Sequence, residues 1–193
     1  MSWLKACLVA PWQMERVLGS NNEALLQQAL GHHNSINDTL FAPASERVSM
    51  ADAIAELLAG GKLERGLAHQ YVYAFETLCA AVGRRLADTN WGDLPMSVID
   101  EIDANLQRAG RTTRLMTVVF NEGANEYQSE RGLPIPMEVP VLSQLSSDQA
   151  ATISNDLEGF IVDEPEDQEI IDGLRDACKQ AVAVDGELVL FYS

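Results

Sequence analysis

Lysine and arginine are scarce in this sequence. Its 193 residues include 13 lysines and arginines against 29 aspartates and glutamates, so the formal net charge is −16. A field of that sign repels nucleic acid and anionic lipid and attracts basic molecules. The composition therefore predicts neither a nucleic-acid nor a membrane partner, and it favours a basic protein partner.

Long apolar segments and paired cysteines are also missing. No window reaches the roughly 18 apolar residues of a membrane-spanning helix, and the apolar run before Pro11 is too short for the core of a signal peptide. The three cysteines, Cys7, Cys79 and Cys178, lie far apart and show no paired spacing. This pattern is typical of reduced, buried thiols, and we expect a cytoplasmic protein.

The common catalytic and cofactor-binding motifs are absent as well. There is no Walker-type phosphate loop, no G-x-G-x-x-G after a strand, no H-E-x-x-H, no C-x-x-C and no G-x-S-x-G. A fold can still assemble a site from distant residues, so an enzyme is disfavoured without being excluded. We expect no catalytic residues, no metal site and no cofactor.

Helix signals are what the sequence does contain. Three capping boxes predict helix starts at 20–23, 49–52 and 146–149, and three prolines stand where proline suits the first helical position: Pro11, Pro95 and Pro165. Gly31 is expected to end the second helix, and residues 32–48 are expected to form a loop that exposes His32 and His33. One apolar stripe predicts a long helix over 66–86, ending at Arg84 and Arg85, where cations complement the helix dipole.

Both ends of the chain are β-prone. Trp3–Val9 and Glu187–Tyr192 predict an opening and a closing strand, and Val141–Leu145 predicts a third. Residues 111–121 fit either a strand or a helix, because periodicity cannot decide for a run this short. The expected fold is a helix-rich single α+β domain over residues 1–193, with helices around a small sheet that contains the N- and C-terminal strands.

One helix face carries the best candidate for a pocket. His69, Tyr73 and Glu76 fall at i, i+4 and i+7 of the long predicted helix and share a face. Glu76 could act there as a base, or His69 as an acid–base group. The competing interpretation is a polar helix face packed under a loop. Trp91, between turn residues, is either an exposed aromatic anchor for a ligand or partner or a core residue under a loop.

The acidic residues are concentrated near the C-terminus. Residues 146–193 contain 12 acids and two bases. At the start of the last predicted helix lie Asp163, Glu164, Glu166, Asp167 and Glu169. The positive end of the helix dipole explains some of them. The rest form a candidate surface for a basic partner, and the alternative interpretation is solubility alone.

Two smaller charge clusters are weaker candidates. Asp100 and Asp103 share a helix face and could bind a metal ion, but a solvated helix face is the favoured interpretation of these two acids and Glu101. Further along the chain, Arg108, Arg111 and Arg114 could bind an anion, although their position after a helix C-terminus accounts for much of the pattern.

Several segments together carry a resemblance to a known family. They are the strand Trp3–Val9, residues 17–26, Tyr71–Cys79, Gly132–Pro136, residues 142–146 and the closing strand Leu188–Tyr192. Their order resembles that of the YfbM-like family of small bacterial proteins of unknown function. The resemblance implies a bacterial protein with a single α+β domain, and it implies no catalytic residues.

These observations favour a non-enzymatic interaction protein. Its sharpest form is an immunity-type or antitoxin-type inhibitor, whose acidic surface covers the basic groove of a toxin, because matched charges give fast and specific association. The alternative is a small-molecule-binding protein or enzyme with a pocket near His69, Tyr73 and Glu76. A homodimer is compatible with either hypothesis.

Overall fold

The computed structural model describes residues 4–33, 48–64, 68–86, 94–120, 132–136 and 140–193. In these ranges the chain forms β1 (Leu4–Val9), α1 (Gln13–Val17), α2 (Glu23–His33), α3 (Met50–Ala59), α4 (Ala68–Val82), β2 (Arg84–Arg85), α5 (Met96–Arg108), α6 (Leu115–Phe120), β3 (Val141–Leu145), α7 (Ser147–Asp156), α8 (Pro165–Ala183) and β4 (Glu187–Tyr192). The predicted helix-rich α+β class is confirmed. None of the helices in these ranges has the length and apolarity to cross a membrane.

The four strands form one antiparallel sheet in the order β2-β1-β4-β3. The two terminal strands are its central pair, with Leu4 opposite Tyr192 at one end and Val9 opposite Glu187 at the other. The predicted sheet with both terminal strands is therefore confirmed, and the two strands pair directly with each other. Since each central strand has a neighbour on both sides, the ladder holds both ends of the chain against fraying.

Helices cover both faces of this sheet. Side chains alternate across β1 and β4, so that one set packs against α1–α4 and the other against α5–α8. The first set is Cys7, Val9, Val189 and Phe191, and the second is Leu4, Ala6, Leu8, Leu188, Leu190 and Tyr192. A strand buried on both faces reads as a continuous apolar run, which explains the sequence of both chain ends.

In two of the three predicted capping boxes the serine caps the helix as predicted. The Ser49 side chain accepts from the Asp52 N–H at 3.1 Å before α3, and Ser146 accepts from the Gln149 N–H at 3.2 Å before α7. At α2 the prediction that Ser20 caps the helix is wrong. Asn22 accepts there from the Leu25 N–H at 3.1 Å.

The predicted end of α2 is also wrong. The helix continues through Gly31 to His33, so His32 and His33 belong to a helix and not to the predicted loop. A glycine inside a helix lowers the stability of the helix by about 1 kcal/mol relative to alanine, and this is too little to end a helix of this length. Residues 34–47 of the predicted loop lie outside the described residues.

The long helix ends earlier than the apolar stripe predicted. α4 stops at Val82, and Arg84 and Arg85 form β2, paired with Leu8 and Cys7 of β1. Gly83 makes this possible, because a Cβ atom there would lie only 2.3 Å from the carbonyl oxygen of Leu8. The ambiguous segment 111–121 contains the helix α6.

Candidate functional site

The start of α8 holds the acids that the sequence singled out. Asp163, Glu164, Glu166 and Glu169 are exposed, whereas Asp167 is buried, with 7% of its surface exposed. Pro165 begins the helix without a side-chain cap at Glu164, so the acids stand beside uncapped N–H groups. The helix dipole stabilises negative charge at this end, by about 0.3–1 kcal/mol per exposed charge.

An acid from another helix joins this group. Burial raises the pKa of Asp167, and the charges of Glu101, Glu164 and Glu166 raise it further. Glu101 lies on α5 and was predicted only as part of a solvated helix face. Its outward spacing on α5 was the sole sequence signal for this role. We call Glu101 and the five predicted acids together the acidic surface.

The acidic surface is not neutralised within the described residues. None of its six acids there lies within 4 Å of a basic group. The two bases of residues 146–193 form ion pairs with acids outside the acidic surface. Arg175 pairs with Asp172 at 2.9 Å and Asp176 at 3.7 Å, and Lys179 pairs with Glu158 at 2.7 Å. Among the described residues, the negative charge at the start of α8 therefore has no ion-pair partner.

An apolar side chain stands at the edge of the acidic surface. Ile161 is 79% exposed and lies two residues before Asp163 in the sequence. Gln168 of α8 holds the flanking backbone, since its Oε1 accepts from the Val162 N–H at 2.9 Å and its Nε2 donates to the Phe160 carbonyl at 3.4 Å. Sequence reasoning missed Ile161, because one apolar residue in a turn carries no periodic signal.

The predicted pocket residues on α4 have three different environments. His69 is exposed, Tyr73 is half-buried and Glu76 is buried. Burial raises the pKa of the Tyr73 hydroxyl, and the charge of Glu76 adds to this rise. The structure thus brings Tyr73 and Glu76 together, while His69 lies at the solvent-facing start of the helix.

Glu76 is held by two cations. Lys5 of β1 lies 3.2 Å from its Oε1 and donates to its Oε2 at 3.3 Å, and Arg85 of β2 lies 3.6 Å from Oε1. The Glu76 side chain is only 9% exposed. A general base needs a lone pair that faces its substrate, and here both oxygens face protein cations. The arrangement is that of a structural ion pair joining α4 to the sheet.

The structure leaves the predicted aromatic anchor untested and shows a different exposed tryptophan. Trp91 lies outside the described residues. Trp12, which the sequence did not single out, is 62% exposed and precedes α1 with a left-handed φ of 60°.

Asp103 of the predicted carboxylate cluster is not a solvated acid, since it accepts from the N–H groups of Leu115 and Met116 and caps α6. Among the described residues, no group of three or more His, Cys, Asp or Glu could hold a metal.

Comparison with known proteins places the chain in a family without a known activity. The chain matches no curated protein and no solved structure. The predicted kinship with the YfbM-like family is not confirmed, although both families are uncharacterised. A family described as a domain of unknown function (DUF7691) matches residues 1–193, the full length of the sequence, and the chain belongs to this family.

Proposed function

We propose that this protein is a non-enzymatic interaction protein that binds a basic protein partner through the acidic surface. In its sharpest form it is an inhibitor of the immunity or antitoxin type, which covers the basic groove of its target. Ile161 would supply an apolar anchor beside the charged contacts, as central apolar residues do in many interfaces.

The observation that carries this proposal is the like charge gathered around Asp167. Burial and three neighbouring acids raise the pKa of its carboxyl, so its ionised form is less favourable in the folded protein than in water. The helix dipole favours acids at the start of α8, but it does not account for Glu101, which belongs to α5. A basic partner would relieve this repulsion on binding, and desolvated charge pairs of that kind raise association rates and specificity.

The proposal is tested with a partner identified by affinity purification from cells that express the protein. Its affinity and association rate are measured from about 0.05 to 0.5 M salt, a range over which the Debye length falls severalfold. We expect the association rate to fall steeply with salt. We also expect the triple variant Glu164→Gln, Glu166→Gln, Glu169→Gln to lose about tenfold in affinity, since each rim charge contributes about 0.2–1 kcal/mol.

A matched control removes the same charge elsewhere. Glu64, Asp148 and Asp185 are exposed acids outside the acidic surface. The variant with Glu64→Gln, Asp148→Asn and Asp185→Asn changes the net charge equally and should bind nearly as well as the wild type. Equal losses in both triple variants, or an affinity that salt does not change, would contradict a role for the acidic surface.

Further proposals concern the setting of this function. We propose a bacterial cytoplasmic protein with one α+β domain, related to the YfbM-like family. The buried free thiols of Cys7, Cys79 and Cys178 support the compartment, since disulfides are rare in the reducing cytoplasm. A homodimer is a further proposal, supported by exposed apolar side chains such as Val184. A ligand site near His69 stays a prediction.

A further inference from the structure

A second site stands out by its charge. Between Asp103 and Glu122 the sequence has three arginines and no acid, in a chain whose net charge is −16. Arg108 ends α5 and is exposed. Arg111 is engaged, since its Nη2 donates to the Glu158 carbonyl at 3.2 Å and its guanidinium lies 5.9 Å from the ring centre of Phe160. The third arginine, Arg114, lines a cavity.

This cavity is an open groove with a volume of about 300 Å³, and it lies between the α5–α6 connection, α6, the end of β3 and α7. Its exposed rim consists of Thr112, Thr117, Gln149 and Thr152, and its buried floor consists of Thr113, Val118, Leu145 and Ile153. An apolar floor with a few convergent polar groups is the usual lining of a small-molecule site. The volume is at the small end of the range for such sites, about 300–1,000 Å³.

Arg114 is oriented by backbone groups. Its Nη1 donates to the carbonyls of Arg111 at 2.7 Å and Thr113 at 2.6 Å. No acid lies within ion-pair distance of it in the described ranges. A guanidinium has five N–H donors in a planar fork that matches a carboxylate. Arg114 is half-buried, and among the described residues only its Nη1 has hydrogen-bond partners, so no described group engages its Nη2 and Nε donors.

Two acids beside this segment already accept backbone N–H groups, namely Asp103, which caps α6, and Asp156. Asp156 of α7 accepts from the N–H groups of Thr112 at 2.9 Å and Thr113 at 2.6 Å. These bonds fix the rim of the cavity next to Arg114. They also hold the carboxylate of Asp156 near the mouth, and its repulsion favours a ligand with one negative charge over a phosphate dianion.

We propose that this cavity binds a small organic monocarboxylate. The carboxylate lies on the fork of Arg114, and the apolar body lies on Val118, Leu145 and Ile153. At the rim, the Thr117 hydroxyl and the Gln149 side-chain NH2 have no hydrogen-bond partner among the described residues, and they could contact a polar substituent. This inference does not depend on the acidic surface, because the two sites share no residue.

The test titrates the full-length protein with benzoate and hexanoate and follows backbone amides by NMR. Benzamide, hexanamide and inorganic phosphate are the matched probes. We expect both carboxylates to shift the backbone amide signals of residues 112–118 and 145 at millimolar concentrations. We expect benzamide and hexanamide to have little effect on these signals. Replacement of Arg114 by glutamine should weaken carboxylate binding by about tenfold or more, the loss expected for a charge-assisted hydrogen-bonded pair.

Two variants separate ligand binding from folding. Arg108→Gln removes the same charge from an exposed position outside the cavity and should leave the affinity nearly unchanged. Thr117→Phe fills the mouth of the cavity from an exposed position on α6, and it should reduce binding without unfolding the protein. Equal binding of carboxylates and amides, stronger binding of phosphate, or unchanged binding by Arg114→Gln would overturn the proposal, as would no shift with any carboxylate.

Discussion

Glu101 of α5 and Asp167 of α8 lie close enough for their like charges to interact. Burial is the largest cause of the raised Asp167 pKa, and Glu101 is the largest of the three charges that add to it. The two helices cover the same face of the sheet. Their positions on this face thus bring the two carboxylates into one region of like charge.

The first prediction follows from the raised pKa of Asp167. The folded protein binds this proton more tightly than the unfolded chain does, so the stability from this group is complete below the ordinary value of 3.8 and is lost as the pH rises through the folded pKa. Asp167→Asn should therefore be more stable than the wild type at neutral pH, by up to about 1 kcal/mol. The difference should vanish at about pH 3.5. Urea unfolding across this range measures it.

Two further variants check the cause of this effect. Glu101→Gln should lower the pKa of the Asp167 carboxyl, which carboxyl NMR titration follows directly. Glu169→Gln removes an exposed acid of the same helix, and it should change the stability by less than about 0.5 kcal/mol. A less stable Asp167→Asn protein at neutral pH would show that the dipole outweighs burial and repulsion.

The second prediction concerns the ion pair under α4. Glu76→Gln leaves Lys5, whose side chain is 20% exposed, without its full charge partner. We expect a loss of about 1–3 kcal/mol in the free energy of unfolding. His69→Ala, on the exposed part of the same helix, is the control and should cost less than about 0.5 kcal/mol. If Glu76→Gln left the stability unchanged, the assignment of Glu76 as a structural residue would be wrong.

The third prediction concerns Asp156, which joins α7 to the α5–α6 connection. Burial raises its pKa, but donors from Thr113 and Thr112 outweigh burial and hold the pKa below 3.8. Its stabilisation is therefore present above the ordinary aspartate pKa and is lost as the pH falls through the lower folded value. Asp156→Asn should cost about 1–3 kcal/mol at neutral pH. A cost that stays constant on acidification below about pH 3 would contradict this account.

The fourth prediction compares two glycines. Gly83→Ala places a Cβ atom 2.3 Å from the Leu8 carbonyl oxygen and 2.8 Å from a Val9 methyl group. Because the neighbour at 2.3 Å is backbone, relief requires a shift of β1, and we expect a loss of about 1–3 kcal/mol. Gly31→Ala meets nothing within 4 Å inside α2, and it should stabilise the protein by about 0.5–1 kcal/mol. Thermal unfolding of both variants measures the contrast, and a stabilising Gly83→Ala would refute the close approach.

Local rules account for the parts of the fold that could be predicted. Ser49 and Ser146 cap their helices because a capping box involves only four consecutive residues. The terminal strands were recognisable because burial on both faces leaves an apolar run. The acids at the start of α8 could also be predicted from a local rule, because the helix dipole acts only within the first turn of a helix.

The remaining features depend on partners that are distant in the sequence. Arg84 and Arg85 became a strand because Gly83 lets the chain approach Leu8, and no periodicity signals a two-residue strand. Glu76 was a candidate base until the fold placed Lys5 beside it. The sequence by itself determined the helix starts, the buried strands and the excess of negative charge, because these depend on neighbouring residues. Only the tertiary structure decided which charges are paired and which stay open, because ion pairs form between elements whose approach no local pattern records.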